Sequence, residues 1–197
     1  MAEIVLVEAT RDRILRLADG LFARRGYAAV SMRDVALAAG VTKPALYYHF
    51  RDKDALFTEC LLVHQLQLGE RLRDALSGSQ TLGGRAEAAA EVLITGAAHN
   101  PARTRSDVVE HLSEADRQRI DASFEENVMR PLTWLLDAAR GTGELRDGVD
   151  PQIVAVALVA VCTASLPGLD GVEPPGDAVA ATLARQVAEL VLHGAVA

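Results

Sequence analysis

Apolar positions along the chain recur at helical spacing from near its start to near its end. Ile14, Leu17, Ala18 and Leu21 fall at i, i+3, i+4 and i+7 and predict one buried stripe on a first helix. Thr10 is placed to cap it, Gly26 to stop it, and Tyr27 to follow as the apolar partner of that glycine. Arg11, Arg13, Arg16, Arg24 and Arg25 are left for a solvated face. Met32, Val35, Ala36 and Ala39 form a second, shorter stripe. Ser31 precedes it as an N-cap, with Asp34 three residues on in the capping-box position. Gly40 can take the left-handed conformation that ends a helix. Val41 is an apolar plug and Thr42 caps a third helix. Pro44 is tolerated there because first-turn amides have no intrahelical partner. Ala45, Leu46 and Phe50 can face inward, leaving Lys43, Tyr47, Tyr48 and His49 outside.

Asp52 caps a fourth helix that should run to about residue 76, with Leu56, Phe57, Leu61, Leu62 and Leu66 on buried faces. SGSQTLGG, residues 77–84, breaks the pattern, and residues 85–98 predict a helix of small residues. His99, Asn100 and Pro101 end it, a polar loop reaches Ser106, and a short helix covers 107–112. Ser113 with Asp116 starts another helix, which carries Ile120, Phe124, Val128, Leu132, Leu135 and Leu136 to about Arg140. Pro131 lies inside it and should kink or split it. GTGELRDGVDP, residues 141–151, is a turn. Residues 153–166 predict a helix apolar almost all round, buried on more than one side. After the loop LPGLDGVEPPGD, Val179, Thr182, Leu183, Gln186, Val187, Leu190 and Val191 predict one stripe on a last helix.

Composition agrees with an all-α chain. Hydrophobic residues make up 50% of the 197 and aromatics only 4%, so close-packed alanine and leucine helices are favoured over strands. Two cysteines, Cys60 and Cys162, make no disulfide framework, which fits a reducing compartment. The leader MAEIVLVEAT has acidic residues and no basic one, unlike a secretory signal. The apolar run at 153–167 is too short for a membrane span. A cytoplasmic protein without membrane contact is expected.

Charge changes the picture more. The net is −7, yet residues 1–53 carry nine basic against six acidic residues (+3), leaving eleven against twenty-one (−10) for residues 54–197. Both lysines, Lys43 and Lys53, lie in the front segment. An electropositive end on an acidic body suits docking on DNA by one face. The outer face of the third helix agrees: lysine and tyrosine reach phosphates, while proline, alanine and tyrosine pack on thymine methyls. A short second helix presenting such residues at its start is how a helix-turn-helix enters the major groove. The competing reading, a helical hairpin with core aromatics, is the weaker one, because neighbouring tyrosines cannot both face one core.

The segment AGVTKPALYYHFRDKDALF resembles the signature of the TetR (tetracycline-repressor-like) family, and RDRILRLADGLFARRGYAAVSMRDVA resembles the family's first two helices. The resemblance covers about the first third of the chain. It implies a three-helix DNA-binding domain over residues 1–53 and a helical ligand-binding and dimerisation domain over 54–197. Carried over residue by residue, it implies that Ser31 and Arg33 contact phosphate or a base edge. Thr42, Lys43, Pro44 and Ala45 would approach the groove floor, and Tyr47, Tyr48 and His49 would bind phosphates and line the groove. Lys53 resembles the family's phosphate-binding lysine. Pro44 stands where many relatives have Gly, Ser or Ala, so the preferred operator should differ from theirs. The apolar, acidic leader departs from relatives with a basic minor-groove arm, and no such arm is expected.

The resemblance further implies a homodimer paired through the last two helices, a palindromic double-stranded DNA operator, and a small-molecule effector held among residues 85–165. His111, Phe124, Asn127, Met129, Trp134 and Cys162 are candidates to line that pocket, and each equally suits ordinary core packing. The expected function is a ligand-responsive transcriptional regulator, a repressor released from DNA by its effector. An alternative keeps the DNA-binding end and gives the body a protein partner instead. A metal-binding helical enzyme is a third reading. Cys60 and His64 share one helix face at i, i+4, but no local cysteine or histidine cluster completes a metal site. Glu110 beside His111, and Glu125 beside Glu126, diverge on a helix. No phosphate loop, nucleophile elbow or metalloprotease helix appears. Neither a cofactor, a metal nor catalysis is expected.

Overall fold

A computed structural model describes residues 2–96, 101–164 and 175–193. Among the described residues the chain forms α1 (Ala2–Arg25), α2 (Met32–Ala39), α3 (Lys43–His49), α4 (Lys53–Ser77), α5 (Leu82–Gly96), α6 (Pro101–His111), α7 (Glu114–Phe124), a π-helical turn (Glu125–Met129), α8 (Arg130–Gly141), α9 (Pro151–Ala164) and α10 (Asp177–His193). The fold is all-α, as expected. It divides into two compact units, Met1–His64 with His99–Ile120, and Gln65–Ala98 with Asp121–Ala197.

The first unit is built on α1. Its buried arc is Ile14, Leu15, Ala18, Leu21 and Phe22, rotated from the predicted stripe, so that Leu17 stays 38% exposed. Thr10 lies within α1 rather than at its start, because the helix begins at Ala2. Gly26 ends α1 at φ 76°, with its N–H on the Phe22 carbonyl at 2.8 Å. Met32, Val35, Ala36 and Ala39 of α2 bury as predicted, as do Leu46 and Phe50 at α3 and Leu56, Phe57 and Leu61 of α4. Leu62 is only half-buried and Leu66 is exposed, so the apolar face of α4 is narrower than predicted. Asp52 caps α4 by accepting the Ala55 N–H at 2.7 Å.

α6 brings Val108, and Leu112 just past its end, into the same core. The sequence reading placed a loop over residues 101–106, but Pro101 opens α6; a proline at a first helical position loses no hydrogen bond and has φ already set. His99 and Asn100 lie outside the described residues. α7 starts where predicted, with Ser113 Oγ accepting the Asp116 N–H at 3.2 Å. Glu59 of α4 pairs with Arg11 of α1 at 2.7 Å and with Arg119 of α7 at 2.8 Å. These partly exposed pairs add little stability.

The second unit has small-residue packing. Ala180, Ala184 and Ala188 of α10 share a core with Ala86, Ala89 and Ala90 of α5. α5 begins at Leu82 rather than Arg85, because Thr81 Oγ1 accepts the Gly84 N–H at 3.1 Å and caps it. The predicted end at Ala98 lies outside the described residues. α9 buries one face only, Val154, Ala155, Leu158 and Cys162, leaving Ile153 and Val156 exposed. The predicted stripe of α10 is also corrected. Val187 is buried and Leu183 and Val191 are half-buried, while Val179, Thr182, Gln186 and Leu190 face out.

Pro131 disturbs its helix through the π-helical turn just ahead of it, in which the Arg130 N–H reaches back to the Glu125 carbonyl. A proline ring collides with the carbonyl four residues earlier, here Asn127, and a wider turn relieves that collision. Lacking an N–H, Pro131 also leaves the Asn127 carbonyl without its usual helical donor. Gly69 of α4 lies against this carbonyl, so closely that a Cβ there would come within 2.7 Å of Asn127 O. An alanine in a helix interior ordinarily gains about 1 kcal/mol over glycine. Overpacking against backbone that cannot yield costs about 1–3 kcal/mol. Gly69→Ala is therefore expected to lower the unfolding midpoint in a thermal melt; an unchanged or raised midpoint would contradict the close approach.

Candidate nucleic-acid interface

α2 and α3 are joined by the Gly40–Thr42 turn, with Gly40 at φ 62°. The capping box forms in full: Ser31 Oγ accepts the Asp34 N–H at 3.2 Å, and Asp34 Oδ2 accepts the Ser31 N–H at 2.9 Å. Hydrogen bonds from the Ser31 hydroxyl and then its backbone hold the Asp34 carboxyl below its ordinary pKa. Thr42 Oγ1 accepts the Ala45 N–H at 3.4 Å, and Pro44 sits in the first turn of α3.

The inner side of α3 is pinned by Leu46 and Phe50, which are both buried. That anchorage turns Tyr48, 78% exposed, and Tyr47, 43% exposed, to the outside. Thr42, Lys43 and Pro44 are exposed beside them, as are Ser31 and Arg33 at the start of α2. The Lys43 ammonium stands 5.8 Å from the centre of the Tyr47 ring, a cation–π distance. His49 is half-buried, its ring edge-on to Tyr48 at 5.3 Å, and Ala45 is half-buried rather than fully inward. A concavity of about 480 Å³ opens between residues 28–30, the start of α2, and Lys43, Tyr47 and Lys53. Cationic, hydroxyl and aromatic groups converging on a concave rim suit a phosphodiester backbone.

Lys53 is placed differently from a free outward cation. Its ammonium donates to the carbonyls of Tyr27 at 2.9 Å and Val30 at 3.0 Å, and lies 3.8 Å from the centre of the Tyr27 ring. Burial pushes its pKa down, opposed by the charges of Asp54 and Asp107. An ammonium has three donors, so one can still reach the concavity while two hold the turn.

Tyr27 is the residue that sequence reasoning undervalued. Its phenol donates to Asp54 Oδ1, its N–H donates to Asp107 Oδ2 at 3.0 Å, and its ring stacks on His111 at 4.6 Å. Burial, then the hydrogen bond to Asp54, push the phenol pKa up. Only its place after Gly26 was visible in the sequence; its partners in α4 and α6 are distant along the chain.

The six pocket candidates occupy varied surroundings. His111 lies against Tyr27 in the first unit, and Trp134 is 77% exposed. Met129 and Cys162 are buried in the core of the second unit, with Phe124 packed partly buried against it. Asn127 Nδ2 donates to the Ser123 carbonyl at 3.0 Å. Cys60 is buried with its thiol 3.7 Å from the Leu15 carbonyl, and burial pushes its pKa up. Among the described residues no group of three metal-ligating side chains assembles.

The profile of the bacterial regulatory proteins of the TetR family matches residues 14–60, the segment that builds this surface. The chain is 28% identical to the HTH-type transcriptional repressor KstR2 of Rhodococcus jostii, over 93% of this chain and 90% of that one. Residues 14–60 thus carry a segment of the TetR-family regulatory kind. The HTH-type transcriptional regulator AcrR of Shigella flexneri is 41% identical, over 32% of this chain and 29% of its own length. The crystal structure of the TetR-family regulator PfmR from Thermus thermophilus superposes with a TM-score of 0.72 at 26% identity, covering 92% of this chain and 95% of that one. The relatives that it matches are named as transcription regulators or repressors.

The buried phenol makes a pH prediction. Its pKa is raised on folding, so its contribution is complete below the ordinary tyrosine value of about 10 and fades as pH rises beyond it. Tyr27→Phe is expected to be less stable than wild type at pH 7, by about 1–2 kcal/mol for one lost hydrogen bond to a carboxylate. The gap should close above about pH 10. Lys53, shifted the opposite way, is present in both proteins. Denaturant melts across pH would check this; a gap that widens with pH would contradict the sign.

Proposed function

We propose that this protein is a homodimeric repressor that leaves a palindromic DNA operator when a small molecule binds. The observation that carries the reading is the exposed face of α3, with Lys43, Tyr47 and Tyr48 outward over buried Leu46 and Phe50. In this reading residues 1–53 bind DNA and residues 54–197 dimerise and take the effector, in the cytoplasm. Among the described residues no helix is long and apolar enough to cross a membrane. Ser31, Arg33, Lys43 and Lys53 serve the phosphates, and Thr42, Pro44, Ala45, Tyr47, Tyr48 and His49 approach the groove. A single short helix reads only a few base pairs, so the reading needs two copies about 34–36 Å apart. The exposed apolar residues Ile153 and Val156 on α9, and Val179 and Leu190 on α10, support pairing through those helices. The effector acts only through its differential affinity for the DNA-competent and incompetent conformers. Exposed Trp134 favours a second reading, in which the body takes a protein partner instead. A thermal-shift screen of metabolites separates the two.

A footprint of the purified protein on DNA upstream of its own and neighbouring genes is expected to show a protected palindrome. No protection at low salt would defeat the proposal. Tyr47→Ala should weaken binding while leaving the dimer intact. Lys43→Ala should weaken binding evenly across operator variants and lower the salt slope by about one. Leu190→Glu should yield a monomer in sedimentation; an intact dimer would move the interface elsewhere.

A further inference from the structure

The turn between α1 and α2 is short of internal support. Within it the Val30 N–H reaches the Tyr27 carbonyl at 3.2 Å, and Lys53 bridges the carbonyls of the same two residues. Two further polar anchors come from outside the turn: Asp54 of α4, which accepts from the Tyr27 phenol, and a residue farther along the chain. Asp107 of α6 accepts the Tyr27 N–H, and one helical turn further on His111 covers the Tyr27 ring, with planes 23° apart. Residues four apart share a helix face, so these two side chains grip the backbone and the ring of one residue together. That residue opens the turn leading into Ser31 and Arg33, and its carbonyl holds Lys53. The turn and Lys53 both line the concavity at the start of α2.

We propose that Asp107 and His111 are positioning residues for DNA binding. They hold Tyr27 so that the start of α2 and the Lys53 ammonium are presented to the phosphates, and neither touches DNA. This inference rests on the DNA-binding reading above and adds to it a grip contributed by α6. The carboxylate supplies the acceptor for the Tyr27 amide, and the imidazole supplies a flat surface.

The test uses the full-length protein on its footprinted operator, with Asp107→Ala, Asp107→Asn, His111→Ala and His111→Phe. Asp107→Ala is expected to bind about tenfold more weakly, the loss of one hydrogen bond to a charged group. The weakening should be equal for operators with altered bases and should come with a shallower salt dependence, because phosphate contacts are what the turn presents. Asp107→Asn keeps an acceptor oxygen and His111→Phe keeps the stacked ring, so both should recover most of the affinity. Thermal melts and sedimentation are measured on each variant. Lowered melting with an unchanged salt slope would assign these residues to stability alone and overturn the proposal. Wild-type affinity in both alanine variants would overturn it too. Should Asp107→Ala fail to fold, the His111 pair decides by the same criteria. Wild-type protein that protects no DNA would instead strike the repressor reading, and this inference with it.

Discussion

The Lys53 ammonium, held by two carbonyls and set against the face of Tyr27, is the interaction on which the turn between α1 and α2 depends. It closes a turn that has few hydrogen bonds of its own. Taking a cation partly out of water is costly unless donors and charges are matched. Here the carbonyls match two donors, the ring quadrupole faces the charge, and Asp54 and Asp107 lie near enough to act on its ionisation. The phenol of Tyr27 is in turn satisfied by Asp54. Residues from the α1–α2 turn, α4 and α6 are thereby committed to one arrangement, and α2 leaves that turn in a set direction.

α3 follows from a second constraint, the division of a short helix into two faces. With seven residues, α3 cannot persist alone in water. Leu46 and Phe50 hold it to the core, and Thr42 and Gly40 set its entry. What remains outward is fixed by the helical period rather than by any preference of those residues for solvent. An exposed Tyr48 is an odd choice for a solvated surface, and the proposed DNA contact would give it a partner on which to stack and donate.

The second unit solves a different problem. Alanines on α5 and α10 let backbones approach closely, and Gly69 takes this to its limit against the π-helical turn. Pro131 is accommodated by local widening rather than by a break, so the chain continues into α8 without a loop. The same economy in large side chains leaves Ile153, Val156, Val179 and Leu190 uncovered in a single copy. Apolar exposure of this kind on a helical body points to association.

Short-range chemistry was legible in the sequence by itself. The Ser31–Asp34 box, the left-handed Gly40, Thr42 ahead of α3, Asp52 ahead of α4 and Ser113 ahead of α7 depend on residues three or four apart, and all form. The inward and outward faces of α3 were legible for the same reason, and the spacing there was enough to suggest the family. Tertiary structure decided which side of a mostly apolar helix is buried, because periodicity cannot choose between faces that both carry valine, leucine and alanine. Hence Leu17, Leu66 and half the α10 stripe proved exposed, and α9 buried one face only. It also decided every pairing across long sequence separation. From the sequence His111 was a pocket candidate, Asp107 only the start of a short helix, and Lys53 a phosphate ligand. Only the packing of α6 beside the α1–α2 turn made them partners of Tyr27, since no local pattern encodes a contact 80 residues away.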